Sequence, residues 1–220
     1  MSNYALIPLQ IFSLLYAIVI HESAHGYAAY QMGDKTAYYE GRLTLNPIKH
    51  IDPFGTIMVP GLLILLGAPF VVGWAKPVPV NPANFRDYKK GELLVSLAGP
   101  GANLVSAIVF TVLYHVITPA NSLPTTSLAL FLFMLLLINI VLCAFNLLPI
   151  PPLDGSHVLQ ILLPEKWARK FRNLSQYGFV IVIGLIMLGA VGMYLRFVMF
   201  MYSFLSGLPL GNILGYAFGG

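Results

Sequence analysis

The sequence predicts an all-α polytopic membrane protein: a bundle of about four to six transmembrane helices, with a small β-hairpin or extended segment and a re-entrant segment near the functional site. Three observations predict it. Of 220 residues, 58% are hydrophobic and 9% charged, against about 45–50% and 25% in soluble domains, so the chain lacks the charge to cover a water-facing surface. The charges are also clustered, with none between Glu92 and Asp154. Finally, four runs reach the roughly 20 residues a helix needs to cross a bilayer. A soluble globular enzyme, a disordered chain and a nucleic-acid-coating protein are thereby excluded. The formal net charge of +4 fits basic cytoplasmic loops better than an anionic partner. The single cysteine, Cys143, forms no intramolecular disulfide and does not reveal the redox compartment.

The elements follow in order. The first run, 6–32, has no basic leader region and continues into polar residues, unlike a cleaved signal peptide. Residues 36–47 alternate and are rich in Tyr, Thr and Leu, the pattern of a hairpin or extended segment. The run from Phe54 to Ala75 is uncharged but interrupted by Pro60, Gly61, Gly67, Pro69 and Gly73. Residues 74–82 contain Pro77, Pro79 and Pro82, which exclude helix. The runs 93–118 and 128–148 are separated by a turn at 118–127 containing Pro119 and Pro124. A last run, 177–195, precedes Arg196 and an apolar tail. The whole reads as one membrane-embedded domain, 1–220, with a catalytic core over about 6–165 and a C-terminal helix and tail over 173–220.

The chemistry concentrates in His21-Glu22-Ser23-Ala24-His25. Helical positions i and i+4 share a face, so two imidazoles can bind one Zn²⁺ with Glu22 beside them as general base. Charged side chains in an apolar helix cost about 2.5–3.5 kcal/mol each by insertion scales and normally face a cavity or a partner. A catalytic zinc wants a third protein ligand and an open position. Asp154, in Asn146-Leu147-Leu148-Pro149-Ile150-Pro151-Pro152-Leu153-Asp154-Gly155, follows a long uncharged helix on irregular backbone. Such backbone is tolerated at membrane depth only when buried in protein or lining a water-filled cavity. On its own, an aspartate capping the helix that follows explains the residue equally well.

Together these two motifs resemble the site-2 protease family of intramembrane zinc metalloproteases. The stretches Gly41-Arg42-Leu43-Thr44-Leu45-Asn46-Pro47, Gly73-Trp74-Ala75-Lys76-Pro77-Val78-Pro79-Val80 and Leu97-Ala98-Gly99-Pro100 extend the resemblance over about residues 15–165. It implies that His21, His25 and Asp154 ligate one Zn²⁺ per chain, that Glu22 is the catalytic base, and that Asn146 holds substrate near the metal. It implies a short form without a PDZ or CBS domain. The substrate it implies is a single-pass membrane protein cut within its transmembrane segment, and no nucleic acid is involved. The sequence departs from the family at Ser156-His157, which leaves His157 open between a place behind the zinc and an interfacial one. His50 is read as lining the entrance or carrying protons, or equally as a surface-loop residue. His115 is read as interfacial, and Asn103 as hydrogen-bonding a neighbouring helix.

Bringing the ligands to one depth makes the helices ending near His25 and Asn146 parallel, with 93–118 running against them. The segment from Met32 to Leu93 then starts and ends on the zinc side, and the run from Phe54 to Ala75 is re-entrant. Eleven of the twelve basic residues fall on that side, against an eight-to-three division if the run crossed fully. The positive-inside rule then turns the site toward the cytoplasm of a prokaryotic cell membrane. The competing functional readings are a zinc hydrolase of prenylated peptides or lipids, and a metal-binding membrane transporter or assembly factor without protease activity. The latter gives Glu22 no role.

Overall fold

The computed structural model describes residues 7–65, 75–119 and 122–208. Within them the chain forms helices α1 (Ile7–Met32), α2 (Thr36–Tyr39), α3 (Val59–Leu65), α4 (Tyr88–Ile117), α5 (Ser127–Asn146), α6 (Asp154–Leu162), α7 (Glu165–Leu174), α8 (Gly178–Met187) and α9 (Ala190–Ser206). The centre is the three-helix packing of α1, α4 and α5. Pairs along α1 and α4 run in opposite order: Tyr16 meets Phe110 with ring centroids 5.3 Å apart, and His25 meets the Val95 carbonyl at 2.7 Å. Along α4 and α5 the order is again opposed, from Asn103 with Asn139 to Tyr114 with Phe133. Helices α1 and α5 are therefore parallel and α4 runs against both.

α5 is the inner helix, with Phe133, Leu136, Leu137 and Ile140 buried against Ala107 and Tyr114 of α4 and Met199 of α9. On the outer face of α4, Leu104, Val105, Ile108, Val109, Val112 and Val116 are apolar and exposed. A contiguous apolar stripe of that kind requires a nonaqueous neighbour, here lipid. α4 and α5 are each long and apolar enough to cross a membrane. Their boundaries follow from local chemistry: Asp87 caps α4 through Lys90 N–H at 3.1 Å, and Thr126 Oγ1 accepts from Ala129 N–H at 3.1 Å.

Two expectations change. Residues 36–47 form no hairpin, and there is no strand among the described residues. Asp34 accepts from both the backbone N–H and the hydroxyl of Thr36, which favours the short helix α2. The Thr44 carbonyl is then taken by the Ser23 hydroxyl at 2.9 Å and by His50 Nε2 at 2.8 Å. Side chains thus satisfy backbone that a ladder would otherwise need. The run 177–195 is not one helix: Gly189, at φ 75°, separates α8 from α9. The helical stretch Glu165–Met187 and α9 meet at 71°, so the pair counts as a third span only if it is one bent crossing. Among the described residues, then, two helices, or three spans if this bent pair is one, are long and apolar enough to cross a membrane. Finally, the run from Phe54 to Ala75 is helical as far as Leu65, and residues 66–74 lie outside the described residues. Its two flanks meet, because the Arg86 N–H donates to the Met32 carbonyl at 2.9 Å. The chain between α1 and α4 therefore leaves and returns at one place.

Candidate metal centre

α1 carries both histidines toward α4, one turn apart. His25 Nδ1 lies 2.7 Å from the Val95 carbonyl, which can only accept, so Nδ1 bears a proton and the neutral ring presents its lone pair at Nε2. His21 Nδ1 faces Asn103 Oδ1 at 2.6 Å. The two Nε2 atoms lie 3.0 Å apart, and Asp154 Oδ2 is 3.1 Å from one and 3.3 Å from the other. Two unprotonated nitrogens and a carboxylate oxygen in so tight a triangle repel one another unless a cation lies among them. Three corners of a tetrahedron with metal–ligand bonds of about 2.0–2.2 Å are about 3.3–3.6 Å apart, slightly more than the 3.0, 3.1 and 3.3 Å seen. Asp154 Oδ2 is buried with no donor of its own. The donor set and its spacing therefore fit Zn²⁺, and no other group of three such side chains is found among the described residues.

The backbone around the triangle is shaped to leave that space. A Cβ on Gly99 would collide with His25 Nε2 and come within 2.7 Å of His21 Nε2. Asp154 arrives from the irregular stretch after α5. Gly155 serves close approach, because a Cβ there would strike the Leu147 carbonyl oxygen, so only glycine lets α6 start against the end of α5.

The triangle opens onto a cavity of about 380 Å³, lined also by Glu22, Pro77, Val78, Asn146 and His157. Glu22 Oε2 accepts the Val78 N–H at 2.8 Å. Val78 belongs to an extended strap, residues 75–81, held at three points. The Lys76 N–H donates to the His50 carbonyl at 3.0 Å. Arg42, buried, donates to the Lys76 and Pro77 carbonyls at 2.9 and 3.2 Å. The Asn81 N–H donates to Asp34 Oδ2 at 2.7 Å. Burial raises the Asp34 pKa, but the donors from Asn81, Asn84 and Thr36 outweigh it, and the carboxyl sits below its ordinary range. Asn146 ends α5 with its amide donating to the Leu142 carbonyl at 3.0 Å.

The remaining histidines separate clearly. His50 is buried, so the surface-loop reading is wrong, and it does not line the cavity; it braces the Thr44 carbonyl and the strap. His115 joins the end of α4 to the Ser206 carbonyl at 2.7 Å. His157 lines the cavity and pairs with Glu92 Oε1 at 2.8 Å. That carboxylate raises the His157 pKa above its ordinary value, with burial in partial opposition. Asn103 does reach a neighbouring helix, through the His21 contact and a bond to Asn139.

Sequence reasoning gave no part to Glu92, Arg42 or Asn139. Arg42 carried a signal, being an arginine inside an otherwise apolar and polar-uncharged stretch. Asn139 carried a weaker one, a lone amide in an apolar helix.

Comparison with known proteins gives the family. The model of Peptidase family M50 matches residues 114–191, the part that holds Asn146 and Asp154. YwhC of Bacillus subtilis (strain 168), named as a zinc metalloprotease, is 41% identical over 183 residues, which are 81% of this chain and 80% of that protein. Rip2 of Mycolicibacterium smegmatis, named likewise, is 32% identical over 209 residues, 94% of this chain and 78% of its own. MJ0611 of Methanocaldococcus jannaschii is 31% identical over 147 residues, 64% of each. No solved structure matches. With relatives of this identity aligned along most of its length, the chain belongs to peptidase family M50, the site-2 protease family of membrane zinc metalloproteases.

Proposed function

We propose that this protein is an intramembrane endopeptidase that cuts the transmembrane segments of single-pass membrane proteins, with His21, His25 and Asp154 holding the zinc and Glu22 as the catalytic base. The observation that carries the reading is the shared cavity: the Glu22 carboxylate and the three ligands open onto one space of about 380 Å³ beside helices that are apolar on their outer face. Zinc bound there supplies Lewis acidity, lowering the pKa of a water toward 7 and polarising the scissile carbonyl.

The residues of the chain do the rest. The Val78 N–H holds one Glu22 oxygen at 2.8 Å, which leaves the other oxygen to take the water proton and pass it to the leaving amine. Asn146, on the Asp154 side of the same cavity, is placed to hold the substrate backbone by hydrogen bonds. A helical substrate must unwind to expose its peptide bond, and the extended strap, with Pro77 and Val78 in the cavity wall, is the edge along which it lies. Leu43 and Leu45 line a groove on another face of α1. The transporter reading leaves the placement of Glu22 without a purpose.

On this reading the membrane-embedded domain, 1–220, works in the prokaryotic cell membrane with the site toward the cytoplasm; the basic residues that the expected topology puts on the zinc side support it. The test is Glu22→Gln in intact cells. Cleavage should fall by about 10²–10⁴-fold, the usual share of a general base, with zinc content unchanged. Membranes of the variant should accumulate full-length single-pass proteins that wild-type membranes hold as truncated forms. Wild-type cleavage by Glu22→Gln overturns the mechanism.

A further inference from the structure

A histidine that ligates through Nε2 must keep its proton on Nδ1, and the interior of the bundle holds an arrangement that enforces this for His21. Asn103, in the middle of α4, and Asn139, in α5, are both fully buried. Asn103 makes three bonds, all to other helices: Oδ1 to His21 Nδ1 at 2.6 Å, Nδ2 to the Ala17 carbonyl at 2.9 Å, and Nδ2 to Asn139 Oδ1 at 2.9 Å.

The direction of every bond is fixed by groups that cannot reverse. The Ala17 carbonyl only accepts, so the Asn103 atom facing it is the NH₂, whichever way the amide is drawn. Asn139 repeats the logic: its own NH₂ donates to the Leu135 carbonyl at 2.8 Å, which turns its Oδ1 toward the second Asn103 proton. Both Asn103 protons are then used, and its oxygen faces His21. His21 Nδ1 must donate, and its Nε2 lone pair is left bare toward His25 and Asp154.

Two buried amides among apolar helices are costly unless fully bonded. An amide that served only its own helix would bond its own backbone, as Asn146 does. Asn103 instead connects a ring nitrogen of α1 to two fixed acceptors, one on α1 and one on α5.

We infer that Asn103 and Asn139 are positioning residues for the metal: a one-way hydrogen-bond chain, rooted in the Ala17 and Leu135 carbonyls, that sets the tautomer and ring orientation of His21. The inference rests on His21 being a zinc ligand, as proposed above. Ligand histidines held this way typically lose 10–100-fold in metal affinity when the partner is removed.

The experiment uses the full chain in detergent, titrated with zinc against a competing chelator, with ¹⁵N-histidine spectra of the metal-free protein. Asn103→Leu should weaken zinc about 10–100-fold and let His21 populate the Nε2–H tautomer. Asn139→Leu should weaken zinc less, because the Ala17 carbonyl still orients Asn103. Asn103→Asp, which keeps an oxygen that accepts from His21 Nδ1–H, should restore affinity to within a few-fold of wild type. Wild-type affinity in Asn103→Leu, with His21→Ala still abolishing binding, overturns the positioning role and leaves the zinc site standing. Zinc retained by His21→Ala overturns both. If Asn103→Leu does not fold, the wild-type spectrum decides: a His21 Nε2–H tautomer in the metal-free protein overturns the inference.

Discussion

The two walls of the cavity hold their polar groups by different means. On the helical wall, formed by α1, α4 and α5, side chains bond side chains or helix carbonyls in a packed interior: His21 with Asn103, Asn103 with Asn139, His25 with Val95. The other wall is the strap with Pro77, Val78, Val80 and Pro82, an irregular backbone held from behind by side chains: Arg42 grips two strap carbonyls, Asp34 a strap N–H, and a strap N–H in turn holds Glu22. The first wall depends on helix packing and presents a fixed constellation of ligands. The second depends on a handful of hydrogen bonds, orients Glu22, the proposed base that α1 carries, and offers the proposed edge for substrate. Metal binding and turnover should therefore fail separately when the two walls are perturbed.

The strongest way to break that separation is Gly99→Ala on the helical wall. Its new Cβ would occupy the space between the two histidine rings, and the ligands cannot both yield without leaving the approximately 0.5 Å tolerance of a working site. Zinc binding, read by metal content of the purified protein, should be lost, and activity with it. An alanine variant with full zinc content would mean that the triangle is not the metal site. On the strap wall, Arg42→Leu should act in the opposite sense. Zinc affinity should stay at wild type while kcat falls about 10–100-fold, since even a 1 Å displacement of positioned groups costs about 10²-fold. Equal loss of both would show that the walls are not independent. Smallest is Asp34→Ala, which leaves the donors of Asn81, Asn84 and Thr36 without their acceptor. One such orphaned group costs about 1–3 kcal/mol, and the exposed edge of this cluster places the expected loss of thermal stability at the low end. Because the folded Asp34 pKa is depressed, its contribution is present above the ordinary carboxylate pKa and is lost as pH falls through the folded value. Wild type should approach Asp34→Ala in stability on acidification, measured by thermal unfolding in detergent across pH 3–7; a constant gap across about that range would assign the effect to something other than the carboxylate.

Much of the helical wall was legible in the sequence and little of the strap wall was. The i, i+4 histidines, the carboxylate after Pro151-Pro152-Leu153 and the turn at Pro119 each announce themselves through local chemistry, and the antiparallel order of α1 and α4 follows from where the ligands must meet. Segmentation by charge has a blind side, however. It treats Asn139 as part of an apolar run and Glu92 as a mere boundary, although one is bonded to Asn103 and the other holds His157. Residues 36–47 misled for a different reason. Their alternation is strand-like, but their hydrogen-bond partners are Ser23, Asp34 and His50 side chains, which only the tertiary fold supplies. The bend at Gly189 was hidden because hydropathy continues unbroken through it.

The closure of Arg86 onto Met32 has an evolutionary consequence. Because the chain departs from α1 and rejoins α4 at the same spot, everything between them behaves as a cassette set into a permanent frame. Lengthening such an excursion adds only about 0.6 kcal/mol of closure entropy for each doubling, and it leaves the register of the ligand-bearing helices untouched. A change in the length of this excursion can thus leave the metal-holding frame as it is.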